Sequence, residues 1–181
     1  MICVLLANGF EEIEALAFVD ILRRAGLNAV TVSTDNCGQN TGSHNIKVIT
    51  DYNIDEINYS EITAVALPGG LPGAYNLRDN KAVREMLDYA YDKKILMGAI
   101  CASPYVVFEE FGYLNNKKAT VNPAFFNDMK NALLIKDSVV CDENIITSQG
   151  PGTTHEFAKA FIKILKSEDT ANELICEMLY K

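Results

Sequence analysis

Ile95-Leu96-Met97-Gly98-Ala99-Ile100-Cys101-Ala102-Ser103-Pro104 is the stretch on which the reading of this chain turns. Ile95–Ile100 is apolar or small throughout, the pattern of a strand covered on both faces. The run stops at a lone cysteine. A helix is expected from about Ala102 to Phe111, with Pro104 tolerated in its first turn and Gly112 closing it. A strand that breaks at a cysteine and continues as a helix lifts that side chain out of a sheet. The unpaired N–H groups of a helix start also favour a thiolate over a thiol. Cys101 is thus a candidate nucleophile with a lowered pKa; the competing reading is a core cysteine packed beside Ala99 and Ala102.

Outward from this elbow the chain alternates strand and helix patterns. Met1–Ala7 is a short apolar run ended by Asn8-Gly9. From Glu11, residues Ile13, Leu16, Ala17, Ile21 and Leu22 recur at helical spacing, and Gly26 stops the pattern after Arg23 and Arg24. Asn28–Thr34, Ile46–Thr50 and Thr63–Leu67 read as strands, with Asp35–Asn45 a turn-rich stretch and Asp55–Ile57 a helical turn. Asn80–Lys94 is helical through Val83, Met86, Leu87 and Ala90. Ala119–Val121 and Leu133–Ile135 read as short strands, and Ser138–Cys141 with Ile145–Ser148 as a hairpin. Gly150-Pro151-Gly152-Thr153 introduces a helix with Phe157, Ala160, Phe161, Ile164 and Leu165 on its apolar face, and a last helix spans about Glu168–Leu179. The alternation predicts one α/β domain over residues 1–181, a doubly wound and mostly parallel sheet with helices on both faces. Active residues of such sheets gather at the carboxyl ends of the strands. Three junctions qualify: Asn8–Glu14, Pro68–Gly73 and Cys101–Ser103.

Composition narrows the partners. The 181 residues carry a net charge of -8, which disfavours a nucleic-acid backbone as the main partner. No window approaches the roughly 18 apolar residues that span a bilayer. The apolar N-terminus is too short for a signal peptide and has no basic leader, so a cytoplasmic location is expected. Five cysteines, Cys3, Cys37, Cys101, Cys141 and Cys176, are widely spaced without a CxxC pair, against both a disulfide framework and a thiolate zinc cluster.

Two further pieces bear on Cys101. Pro68-Gly69-Gly70 lets the backbone turn close to a neighbouring strand end, so the N–H groups of Gly70 and Ala102 are candidates to stabilise an oxyanion; a plain strand-end turn is the other reading. Of the acids that open the first helix, Glu14 is followed by apolar Ala15–Val19 and is the one drawn inward. A buried glutamate keeps its proton towards neutral pH and can hand it to a thiolate or a carbon acid. Ordinary helix-start charge remains the alternative. His44 and His155 are isolated, with no HxH or HExxH spacing, so no catalytic metal is expected. No nucleotide fingerprint occurs, and no cofactor is expected.

An ordered set of motifs then runs over essentially the whole chain: Leu6-Ala7-Asn8-Gly9-Phe10-Glu11-Glu12-Ile13-Glu14, Arg23-Arg24-Ala25-Gly26, Leu67-Pro68-Gly69-Gly70, Gly73-Ala74-Tyr75-Asn76-Leu77, Ala99-Ile100-Cys101-Ala102-Ser103-Pro104 and Thr147-Ser148-Gln149-Gly150-Pro151-Gly152-Thr153. Together they resemble the ThiJ/PfpI superfamily, and within it the Parkinsonism-associated deglycase subgroup and its small bacterial relatives. The resemblance implies a flavodoxin-like fold and a homodimer. It implies Cys101 as reactive elbow cysteine, Glu14 as its acidic partner, and Gly70 and Ala102 as donors of backbone N–H groups. The implied activities are cofactor-independent conversion of methylglyoxal or glyoxal to hydroxy acids and repair of early glyoxal adducts; other members resemble oxidative-stress sensors or chaperones.

This chain departs from the pattern where many relatives carry a histidine before a proline. Ala119-Thr120-Val121-Asn122-Pro123 places Asn122 there, a side chain that orients a carbonyl or hydroxyl but does not shuttle a proton near pH 7. Basic positions of the relatives correspond to His44 and Gln149, while Arg24 is retained, which favours a small neutral substrate over a phosphate-bearing one. Two functions follow as expectations: an α-oxoaldehyde-converting enzyme acting through a Cys101 hemithioacetal, or a redox-responsive, chaperone-like dimer with little turnover.

Overall fold

A computed structural model describes residues 1–180. The strands are β1 (Ile2–Leu6), β2 (Ala29–Ser33), β3 (Gln39–Thr41), β4 (Lys47–Ile49), β5 (Tyr52–Asn53), β6 (Ala64–Leu67), β7 (Leu96–Ile100), β8 (Lys118–Ala119), β9 (Leu133–Leu134), β10 (Val139–Asp142) and β11 (Ile145–Ser148). The α-helices are α1 (Glu12–Arg24), α2 (Gly73–Asp79), α3 (Lys81–Asp92), α4 (Thr154–Leu165) and α5 (Glu168–Glu177). The central sheet has the order β10-β11-β7-β6-β1-β2-β5, parallel throughout except for the antiparallel β10–β11 edge pair. The doubly wound α/β architecture is therefore as the sequence predicts.

Strand periodicity divides the core between the two faces. Cys3 and Leu5 of β1, Val65 and Leu67 of β6 and Met97 and Ala99 of β7 pack with the stripe Val83, Met86, Leu87 and Ala90 of α3. Ile2, Val4 and Leu6, with Ala64, Ala66, Leu96 and Ile100, face α1, α4 and α5. There Phe18, Phe157 and Phe161 form an aromatic cluster with ring centroids 4.9–5.1 Å apart. Gly98 makes room for it, since a Cβ at that position would lie 2.4 Å from the Phe161 ring.

Four details differ from the sequence reading. Ile46–Thr50 contributes β4, which pairs with β3 in a separate antiparallel arm rather than joining the central sheet. Half-exposed residues on this arm give no two-face apolar run to mark its place. Residues 73–79 form α2, a helix whose glycine start hides it. The elbow helix is a wide-turn π-helix, Pro104–Glu109, and over six residues the apolar spacing does not distinguish it from an α-helix. Finally, β8 and β9 pair with each other, apart from the main sheet, as two-residue strands.

Strand order reverses between β1 and β6, because β1 leads outward to β2 while β6 leads the opposite way to β7. The carboxyl ends of β1, β6 and β7 meet at this reversal, where open α/β sheets bind their ligands. Among the described residues no helix is long and apolar enough to cross a membrane.

Candidate active site

Cys101 follows the last residue of β7 and holds a left-handed backbone, φ +63°. Such a conformation is strained for a residue with a side chain, and here both neighbours fix it. The Cys101 N–H donates to the Ser148 carbonyl at 3.0 Å, and the Asn122 N–H donates to the Cys101 carbonyl at 2.9 Å. Ser103 Oγ donates to the Pro68 carbonyl at 2.6 Å, tying the elbow to the loop after β6. That loop approaches closely because Gly69 has no side chain: a Cβ there would lie 2.7 Å from Cys101 Cβ and 3.0 Å from Glu14 Oε2. Gly70, at φ +86°, turns the chain back, and a Cβ on it would lie 2.4 Å from the Glu11 nitrogen.

The start of α1 is held against the same loop. The Glu11 N–H donates to the Gly69 carbonyl at 2.9 Å, and the Gly69 N–H donates to Glu14 Oε2 at 2.7 Å. Glu14 is 1% exposed, and its Oε1 has no hydrogen-bond partner of ordinary geometry. Of the three acids that open the helix, Glu14 is thus the one turned inward to the elbow, where its charge and side chain act on Cys101. The backbone N–H groups of Gly70 and Ala102 act on the sulfur as hydrogen-bond donors and favour its thiolate form. Asn122 Nδ2 completes the ring at 3.6 Å from Sγ, while its Oδ1 accepts from the Ala124 N–H at 3.1 Å. The structure therefore gathers Cys101, Glu14, Gly70, Ala102 and Asn122 in one place.

Electrostatics correct one expectation. Burial pushes Glu14 up to about 7, against the pull of the Gly69 N–H. Burial, then the charge and hydrogen bond of ionised Glu14, push the Cys101 thiol up to about 12, and the two backbone donors do not offset this. An elbow alone therefore does not activate this cysteine, contrary to the lowered pKa expected from helix-start geometry. The two groups compete for the same proton and titrate as a pair. Glu14 raises the thiol only while it is ionised; a protonated Glu14 donating to sulfur reverses that contribution and stabilises the thiolate.

Other residues singled out in the sequence lie elsewhere. His155 stacks on Tyr180, ring centroids 4.4 Å apart, at the start of α4. Arg24 pairs with Asp20 on the exposed side of α1. Gln149 Nε2 donates to Thr120 Oγ1 and to the Lys136 carbonyl. His44 turns its Nδ1 to Glu12 Oε2 at 2.9 Å, and its backbone N–H donates to Glu12 Oε1 at 2.7 Å. Burial opposes ionisation of Glu12, yet the hydrogen bonds from His44 and nearby backbone hold its carboxyl down at about 2. Glu11, Glu12 and His44 bring ligating atoms within 4.8 Å of one another. No spacing rule would find this group, because His44 is 32 residues from Glu12 in the chain. Gly69 and Ser103 were also missed as positioning residues, although the Pro-Gly-Gly turn and the small residue after Ala102 were visible signals.

Residues 1–164 match the model of the DJ-1/PfpI family. The chain belongs to the DJ-1/PfpI family. A deglycase of Thermococcus kodakarensis is 30% identical over 167 residues, covering 91% of this chain and 99% of that protein. Protein DJ-1 homolog B of Arabidopsis thaliana is 39% identical over 162 residues, 90% of this chain, of which this chain spans only 37%. The chain likewise covers less than half of the related homolog A. Among solved structures, oxidized DJ-1 of Toxoplasma gondii superposes with a TM-score of 0.94 at 34% identity, over 99% of this chain and 97% of that one.

Proposed function

We propose that this DJ-1/PfpI protein converts methylglyoxal or related α-oxoaldehyde adducts to α-hydroxy acids without a cofactor, through a hemithioacetal on Cys101. The observation that carries this reading is the buried Glu14 carboxyl beside Cys101, with one oxygen held by Gly69 N–H and the other free. The Cys101 sulfur adds to the aldehyde carbon, and the aldehyde oxygen takes a proton to give the hemithioacetal. Glu14 removes the proton from C1 and returns it to C2, passing through an enediolate whose oxygen charge faces the Gly70 and Ala102 N–H groups. The product of that transfer is a thioester. Water then cleaves it, releasing the hydroxy acid and restoring the thiol, so the net reaction adds one water to the oxoaldehyde. Asn122 orients an oxygen by donating through Nδ2, in place of a proton-shuttling imidazole. The Thermococcus relative named a deglycase supports an adduct-repair version of the same chemistry.

The test compares hydroxy-acid formation by wild type, E14Q and E173Q, the last on an exposed surface glutamate. E14Q loses most of the rate and E173Q keeps it; equal rates for the two would remove Glu14 from the mechanism.

A second reading, a redox-responsive cysteine, is favoured by the similarity to a relative solved in an oxidized form. The same N–H groups that face an enediolate would hold the oxygens of a Cys101 sulfinate, with protonated Glu14 as a donor. In both readings we infer a cytoplasmic homodimer.

A further inference from the structure

We propose that Glu11, Glu12 and His44 form a binding site for a divalent first-row metal ion, beside the thiol site and sharing none of the groups that touch the Cys101 sulfur. Glu11 Oε2, Glu12 Oε2 and His44 Nδ1 converge: Nδ1 lies 2.9 Å from the Glu12 oxygen and 3.4 Å from the Glu11 oxygen. An ion bonded to such donors at roughly 2.0–2.2 Å sets neighbouring tetrahedral ligands roughly 3.4 Å apart. Of the two edges to Nδ1, one is therefore already at that length and the other must open by about half an ångström, while the two carboxylate oxygens lie within 4.8 Å of each other.

The outer oxygens are pinned for this role. Glu11 Oε1 accepts from the Ile13 N–H at 3.3 Å, and Glu12 Oε1 accepts from the His44 and Ile46 N–H groups at 2.7 and 3.4 Å. Fixing the non-ligating atom by backbone donors is how metal sites orient their carboxylates. Ser43 Oγ, 3.3 Å from both inner oxygens, is a fourth polar atom at the same point.

Charge points to a divalent ion. The Glu12 side chain is 5% exposed and that of Glu11 11%, and among the described residues His44 is the only basic side chain within ion-pair distance of either. A proton on His44 leaves the cluster at −1. A divalent ion on neutral imidazole and two carboxylates brings it to zero, which opposes the cost of burying unpaired charge. The positive end of α1 acts against any cation there, but it is a partial charge set against two full ones. His44 is 69% exposed on its side chain, so the ion has an open approach and outward coordination positions for water. One imidazole with two carboxylates suits zinc and its first-row neighbours better than calcium or magnesium, which favour all-oxygen sets.

Cobalt(II) is the probe, because its spectrum separates nitrogen and oxygen ligands from thiolate. It is titrated into the 181-residue chain carrying C37S, C141S and C176S, which removes the exposed thiols, and into the same chain with H44A or E11Q added. The proposal expects one ion per chain, ligand-field bands without thiolate charge transfer, and at least about tenfold weaker binding in each variant. Thermal unfolding checks that both added substitutions leave the protein folded. Absence of saturable binding, thiolate charge-transfer bands, or H44A and E11Q binding within about threefold of the parent would each overturn it.

Discussion

Asn122 is joined to Cys101 twice: its backbone N–H donates to the Cys101 carbonyl at 2.9 Å, and its side-chain Nδ2 lies 3.6 Å from the sulfur. The first bond helps hold the left-handed elbow. The second places an amide donor where a sulfur or substrate oxygen carries charge. Replacing Asn122 by Ala therefore keeps the backbone bond and removes the Nδ2 donor together with the Oδ1 that caps the Ala124 N–H. N122A is expected to lower kcat about tenfold, the scale of one hydrogen bond to a charged group, and to cost about 1 kcal/mol of stability through the lost cap. N122H introduces an imidazole, and its rate profile acquires a further limb near the ordinary histidine pKa, beside the one that Glu14 gives the wild type near 7. Steady-state rates from pH 5 to 9 check both.

Glu14 makes stability depend on pH. Burial raises its folded-state pKa from 4.5 to about 7, so the native state holds this proton more tightly than the unfolded chain does. Its carboxyl does not weaken the fold below about 4.5. Stability is lost as pH rises from about 4.5 to about 7, by an amount on the order of 3 kcal/mol. Chemical denaturation across that window should show the decline in wild type, and E14Q should flatten it. An unchanged slope in E14Q would place the ionisation elsewhere.

Gly69 sets the spacing between the two reactive side chains. A methyl group there must push against Cys101 Cβ at 2.7 Å and Glu14 Oε2 at 3.0 Å. G69A is expected to cost about 1–3 kcal/mol of stability, the range for overpacking, and to abolish most activity in the fraction that stays folded. Calorimetry and rates measured on the same samples separate the two effects.

Much of this arrangement was legible in the sequence because it depends on local chemistry. The apolar run into Cys101, the Pro68-Gly69-Gly70 turn and the inward-facing position of Glu14 are each set by residues within a few positions of one another. What escaped comes from distance along the chain. The β3–β4 arm has no buried stripe, so nothing local says that it folds over the start of α1 and brings His44 to Glu12. The sign of the Cys101 shift also escaped, since it follows from burial and from Glu14, which tertiary packing alone supplies.

Oxidation distinguishes Cys101 from the other thiols. Cys37, Cys141 and Cys176 are exposed, whereas Cys101 is half-buried but faces the Gly70 and Ala102 donors. Under graded peroxide, Cys101 is expected to gain two oxygens before the exposed thiols do, and E14Q, which lacks the carboxyl proton that holds the sulfinate, to stop it at an earlier stage. Intact mass followed by peptide mapping reads the order; oxidation governed by exposure alone would remove support for the redox reading.

The most direct test of the central claim, that the Cys101 sulfur carries the chemistry, is time-resolved NMR of methylglyoxal with wild type and C101S. Wild type is predicted to convert the oxoaldehyde to lactate over many turnovers, and C101S to leave it unconverted. Lactate formation by C101S at a rate close to wild type would contradict the account.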